Sequence, residues 1–108
     1  MPLVSYPRRL RELAEADPDR PAVTCDEVTL TRAGLEVEGT RLAHHLATLG
    51  VGQGDFVTVA LPNSVAWVVG YVAIWKLGAT PQPVSSRLPQ RELQAIVELA
   101  APKVILGA

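Results

Sequence analysis

The run VAWVVGYVAIW, from Val65 to Trp75, carries no charge and is almost wholly apolar. No other stretch limits the fold as tightly. A bilayer-spanning helix takes about 20 apolar residues, and this run is bounded by Pro62-Asn63-Ser64 on one side and Lys76 on the other. It is therefore predicted to be a helix buried in protein, with no transmembrane segment in the chain. A helix that is apolar all round needs cover on more than one side, and 108 residues supply few elements to provide it. The expectation is a piece of a larger domain, with exposed apolar surface where the remainder would sit and with self-association when alone.

The segments around this run alternate in period. FVTVAL, starting at Phe56, is β-branched and apolar at nearly every position, as suits a strand covered on both faces and ended by Pro62. Asn63 or Ser64 can cap the apolar helix, which continues through Leu77 and closes at Gly78. ATPQPV reads as a second extended segment, irregular or at a sheet edge because of its prolines. SSRLPQRELQAIVELA contains a helix with Leu88 just outside, Pro89 early in the first turn, Glu92 near the start, and Leu93, Ile96, Val97 and Ala100 inward. KVIL is a third strand. Strand, helix, strand, helix, strand is the order of a parallel sheet with right-handed crossovers.

Upstream, Tyr6 to Ala16 places Leu10, Leu13 and Ala14 on one helical face and stops at DPDRP. AVTC and VTL, separated by Asp26-Glu27, read as a hairpin. Thr31 can cap a following helix whose Leu35, Leu42, Leu46 and Leu49 fall along one stripe, with Gly50 ending it in a left-handed conformation and Val51 folding back. The predicted fold class is α/β, a partial parallel sheet with flanking helices plus a short N-terminal β-hairpin. Residues 1–108 are expected to be one unit: 1–20 a helical lead-in, 21–31 the hairpin, and 32–108 a helix followed by β-α-β-α-β.

A formal net charge of -1 and a pI near 6.1 leave no basic footprint for nucleic acid. The single Cys25 cannot form an internal disulfide, and no second thiol or suitably spaced histidine pair completes a zinc site. The N-terminus MPLVSYPRRLREL lacks the apolar core of an export signal. A cytoplasmic location follows as the expectation.

Several residues invite a functional reading. GVGQGD, Gly50 to Asp55, resembles a phosphate loop, but it follows a helix and precedes a strand, the reverse of the arrangement that aims helix N–H groups at an anion. Its spacing also departs from G-x-G-x-x-G, so it is predicted to be a turn. ALPNSVAW points the right way, and Asn63, Ser64 and the N–H groups after them could meet an anion, although a plain helix cap is the simpler assignment. His44 and His45 are adjacent on a helix and diverge by about 100 degrees, too far to share a metal. Cys25 reads as a small hydrophobe near the hairpin turn. Trp67, Tyr71 and Trp75, at steps of four, form a ladder on one face, either lining an acyl or ring pocket or, more simply, packing in a core. No nucleophile–base pair or paired carboxylate stands in a persuasive frame. The sequence thus assigns no catalytic, cofactor-binding or metal-binding residue to this chain.

The order of motifs resembles the start of the adenylate-forming acyl-CoA synthetases over roughly Leu10 to Leu106. The pieces that carry the resemblance are Gly50-Val51 with Gly54-Asp55, then Leu61-Pro62-Asn63-Ser64, then Lys76-Leu77-Gly78-Ala79 with Pro83, then Glu92-Leu93 and Lys103-Val104-Ile105. The segment Arg32-Ala33-Gly34 departs from the family, which often has an aromatic and then a glutamate completing a capping box there. GATPQPVSSRLP is similar to members described as bile-acid or steroid coenzyme A ligases or as fatty-acid activators.

The resemblance implies a parent enzyme that activates a carboxylic acid with ATP, assisted by magnesium, and passes the acyl group to coenzyme A. It also implies that the residues binding ATP and performing the chemistry lie further along than this segment, which binds none of these cofactors alone and whose partner is the remainder of the adenylation domain. The rival reading is a stand-alone α/β module that binds a protein or small molecule without chemistry.

Overall fold

The computed structural model describes residues 5–107. Residues 1–4, the start of the stretch read against an export signal, lie outside it, as does residue 108. Helix α1 spans Tyr6–Ala16 and is capped by Ser5. Strands β1 (Pro21–Cys25) and β2 (Val28–Thr31) form an antiparallel hairpin. Asp26 and Glu27 turn it with φ of 51° and 66°, so both occupy the left-handed region that a two-residue type I′ turn demands.

Helix α2 (Arg32–Thr48) begins where the hairpin ends, with Thr31 Oγ1 accepting from Gly34 N at 3.0 Å. Its end is a Schellman arrangement: Gly50 N donates to Ala47 O at 3.0 Å and Val51 N to Leu46 O at 3.1 Å, with Gly50 at φ 93° and Val51 buried. The buried face of α2 is Leu35, Gly39, Ala43 and Leu46. Leu49, expected on this stripe, is instead 51% exposed, because it is the C-cap where the backbone already turns away.

Strands β3 (Phe56–Val59), β4 (Thr80–Pro83) and β5 (Val104–Leu106) form a parallel sheet in the order β4-β3-β5. Strand β3 ends at Val59 rather than running to Pro62. Helix α3 (Val65–Lys76) joins β3 to β4, and α4 (Gln90–Ala100) joins β4 to β5. The two helices cover opposite faces. Leu106 reaches toward Gly70 of α3, whereas its neighbour Ile105 lines a hollow with Leu93 and Val97 of α4.

The core lies between the sheet and the α2/α3 layer, where Leu46, Val57, Val59, Val72 and Ile74 are at most 1% exposed. Among the described residues the one buried polar side chain is Thr58 on β3, and it is satisfied: its Oγ1 donates to Gln82 Oε1 on β4 at 2.8 Å. Helix α4 departs from expectation. Pro89 is its N-cap rather than a first-turn residue, and Leu93, Ile96, Val97 and Ala100 are only half-buried because a single layer of short strands covers them.

Candidate functional site

In open α/β sheets a ligand cleft forms outside the carboxyl ends of the strands, where adjacent connections leave toward opposite faces. That point falls between β3, whose exit leads to α3, and β4, whose exit leads to α4. A cleft of about 490 Å³ occupies it, lined by Asn63 and Trp67 on the α3 side and by Val84, Ser85, Ser86 and Arg87 on the other.

Ser64 Oγ donates to Pro62 O at 2.9 Å and accepts from Trp67 N at 3.2 Å, which fixes the start of α3. The hydroxyl of Ser64 is therefore a helix cap. Asn63 is exposed on the cleft wall, and Ser85 Oγ accepts from Arg87 N at 3.2 Å, setting the loop that brings the exposed Arg87 into the cleft lining. Sequence reasoning did not select Ser86 or Arg87. The signal for them is the strand order: once β3 is central, the β4–α4 loop must face the β3–α3 loop.

The stretch Gly50 to Asp55 is a closed turn. Gly50 N is bonded to Ala47 O, Gly54 N to Gly78 O at 3.2 Å, and Gly52 N to Asp55 Oδ2 at 2.8 Å. Each glycine N–H that could have met a phosphate is thus already taken within the protein, and the residues present do not fit a nucleotide triphosphate. His44 and His45 are exposed on α2. Among the described residues no three of His, Cys, Asp and Glu group as a metal site would need. Cys25 is half-buried, its Sγ 3.6 Å from Asn63 O.

The aromatic ladder is assembled as its spacing predicts. Trp67 and Tyr71 stack with ring centroids 4.1 Å apart, Tyr71 meets Trp75 edge-on at 5.6 Å, and Tyr6 of α1 joins Trp75 at 5.0 Å. Trp67, Tyr71 and Trp75 are half-buried and form one wall of an apolar groove of about 370 Å³ also lined by Leu10, Leu35 and Val72, whereas Tyr6 is exposed. Burial raises the Tyr71 hydroxyl above the usual tyrosine range. Trp67 contributes to both hollows, so the ladder runs from the groove to the cleft.

Residues 10–108 match the family described as AMP-binding enzyme. The chain is 39% identical over 84 residues to the medium/long-chain-fatty-acid–CoA/3-oxocholest-4-en-26-oate–CoA ligase of Mycobacterium marinum, covering 78% of this chain and 15% of that one. It superimposes on the N-terminal domain of FACL13 from Mycobacterium tuberculosis with a TM-score of 0.88 at 30% identity, covering 95% of this chain and 26% of that structure. The artificially fused adenylation-PCP di-domain NpsA-ThdA from Klebsiella oxytoca matches with a TM-score of 0.89 at 26% identity, over 97% of this chain and 20% of that one. The chain spans 1% of the first curated relative it matches and 15% of the Mycobacterium marinum ligase. A parallel β4-β3-β5 sheet flanked by helices, a hairpin ahead of it and a family match running through nearly all of both place this chain among the AMP-binding enzymes.

Proposed function

We propose that this chain is the N-terminal scaffold of an enzyme that activates a carboxylic acid with ATP, releasing pyrophosphate, and transfers the acyl group from the adenylate to coenzyme A. The observation that carries this reading is the continuous family match over residues 10–108. The likeness to the Mycobacterium marinum ligase supports a fatty or steroid acid as substrate. In this reading residues 1–108 form one unit of the adenylation domain, working in the cytoplasm. The catalytic, ATP-binding and magnesium-binding residues lie outside it, consistent with a glycine turn whose N–H groups are all engaged. The contribution of this segment is to hold β3 and α3 rigid and to present Asn63 and Arg87 at the cleft.

A second reading, an adenylation domain of a nonribosomal peptide synthetase, is favoured by the likeness to the NpsA-ThdA di-domain. The two readings differ in substrate and acceptor. The test is acid-dependent ATP–pyrophosphate exchange by the full-length protein that contains residues 1–108, over fatty, steroid, amino and aryl acids, with and without coenzyme A. Exchange with a fatty or steroid acid, and a thioester formed with coenzyme A, is expected. Exchange with an amino or aryl acid and no coenzyme A thioester selects the second reading, and no exchange with any acid overturns both. The 108-residue chain alone is expected to support none.

A further inference from the structure

We propose that the hollow between α1, β1 and the start of α2 is a second binding site, outside the cleft, for a small apolar carboxylate such as an arylalkanoate. The cavity measures about 230 Å³, and its apolar wall includes Leu10 and Leu13 of α1, Ala22 of β1 and Leu35 of α2. The charged residues of the lining are Arg32 and Glu36. Helix α1 and strand β1 both pack on α2, and the hollow shares no residue with the cleft. Arg32 belongs to the segment that departs from the family resemblance, and the proposed reaction gives it no role.

The two charges of the lining are not equivalent. Glu36 Oε2 is paired with Lys76 Nζ at 2.9 Å, whereas among the described residues no carboxylate lies within ion-pair distance of the Arg32 guanidinium. Arg32 is half-buried, and its Nη1 donates to Leu13 O at 3.2 Å, which sets the guanidinium at the Leu13 side of the hollow. A guanidinium has five N–H donors in a fork that matches a carboxylate. A ligand carboxylate therefore supplies the counter-charge that the fold leaves out.

The start of α2 adds to this field without competing for the ligand. Arg32 N donates to Arg20 O at 2.9 Å, Ala33 N to Pro18 O at 3.0 Å and Gly34 N to Thr31 Oγ1 at 3.0 Å, so the backbone donors there are engaged. The positive end of the helix dipole still favours an anion beside Arg32. Leu10, Ala22 and Leu35 also line the aromatic groove, so the apolar body of the ligand points from Arg32 toward the ladder. An apolar cavity of about 150 Å³ accepts benzene. The larger hollow here has room for a ring and a carboxymethyl group.

Isothermal titration calorimetry tests this on the full-length protein that contains residues 1–108, with and without saturation by a non-hydrolysable acyl-adenylate mimic. Phenylacetate is the probe, and one site per chain that persists with the mimic bound is expected, with a Kd of about 1 mM or tighter. Phenylacetamide, of the same shape without the charge, should bind at least about tenfold more weakly. Arg32→Leu should weaken phenylacetate at least about tenfold and bring acid and amide to one affinity, a convergence that a merely loosened fold does not produce. Ala22→Phe, at an exposed position of the wall, should abolish binding by filling the hollow with Arg32 intact. No binding to the mimic-saturated protein at millimolar phenylacetate overturns the proposal, as does an amide that binds as well as the acid. Should Arg32→Leu unfold, a folded Ala22→Phe protein that binds phenylacetate with unchanged affinity overturns it. A protein that does not bind the mimic overturns the adenylation reading and leaves the dependence on Arg32 and Ala22 as the criterion for this site.

Discussion

Lys76 Nζ lies 2.9 Å from Glu36 Oε2, tying α3 to α2 at a point where the two side chains are only 16% and 17% exposed. The other carboxylate oxygen, Glu36 Oε1, is buried without a partner. Lys76→Ala therefore strands a carboxylate whose remaining oxygen has no substitute donor. Breaking a buried pair from one side typically destabilises by about 3–5 kcal/mol, and because both groups keep some solvent the lower end of about 3 kcal/mol is expected in urea unfolding. Replacing both, as Lys76→Met with Glu36→Leu, should recover most of that loss. A single variant within about 0.5 kcal/mol of the unsubstituted chain would show that the pair is effectively solvated.

Gly39 sits where α2 meets α3. A Cβ added there would lie 2.7 Å from Val72 Cγ1, and Val72 is 1% exposed with a stiff branched side chain. Helix propensity favours alanine over glycine by about 1 kcal/mol, while overpacking a tight core destabilises by about 1–3 kcal/mol. The expected net result for Gly39→Ala is destabilisation of about 1 kcal/mol by thermal or urea unfolding. A gain in stability would mean the two helices separate freely.

Glu27 at φ 66° occupies a backbone region that a non-glycine residue enters at a cost of order 1 kcal/mol or more. Glu27→Gly should stabilise the hairpin by about 0.5–1 kcal/mol, read as a rise in the unfolding midpoint with an unchanged slope. An unchanged or lower midpoint would mean that the glycine's extra unfolded-state entropy outweighs the relieved strain.

Tyr71 provides a pH signature. Desolvation raises its hydroxyl pKa in the folded state above the ordinary tyrosine value of about 10. A raised folded pKa means that the native state holds its proton more tightly, so this contribution is fully present below the unfolded pKa of about 10. It is lost as pH rises through the higher folded value. The chain should lose stability above pH 10 more steeply than its Tyr71→Phe variant, measured by urea unfolding across that window. Identical slopes would show that the ring is as hydrated folded as unfolded.

Much of the fold was readable because its punctuation is local. Thr31, Gly50, Ser64 and Gly78 each satisfy or relieve backbone groups within a few residues of themselves, so their roles depend little on the rest of the chain. The apolar run gave α3, and the spacing of its aromatic residues gave the ladder. What depends on strand order was hidden. The cleft residues Ser86 and Arg87 acquire meaning only when β3 is known to be central. Glu36 and Lys76 are far apart in sequence and look like two ordinary surface charges. The inward stripe of α2 was partly misread because Gly39 and Ala43, being small, carry little hydrophobic signal although both are buried and Gly39 makes the close approach to Val72.

The β4-β3-β5 order also sets a timetable. Strand β3 is the most enclosed element, yet its second neighbour is made from Val104 to Leu106, almost the last residues described. While the chain leaves the ribosome, β3 has one flank covered by β4 and the other bare until β5 is released and has crossed over the sheet. Closing that long loop comes before the reward of pairing, so this step should be the slow one in forming the sheet. For that interval the row of Phe56, Thr58 and Ala60 backbone groups is open to any extended segment nearby, and a nascent chain that stalls there offers the strand destined to be its most buried to chaperones.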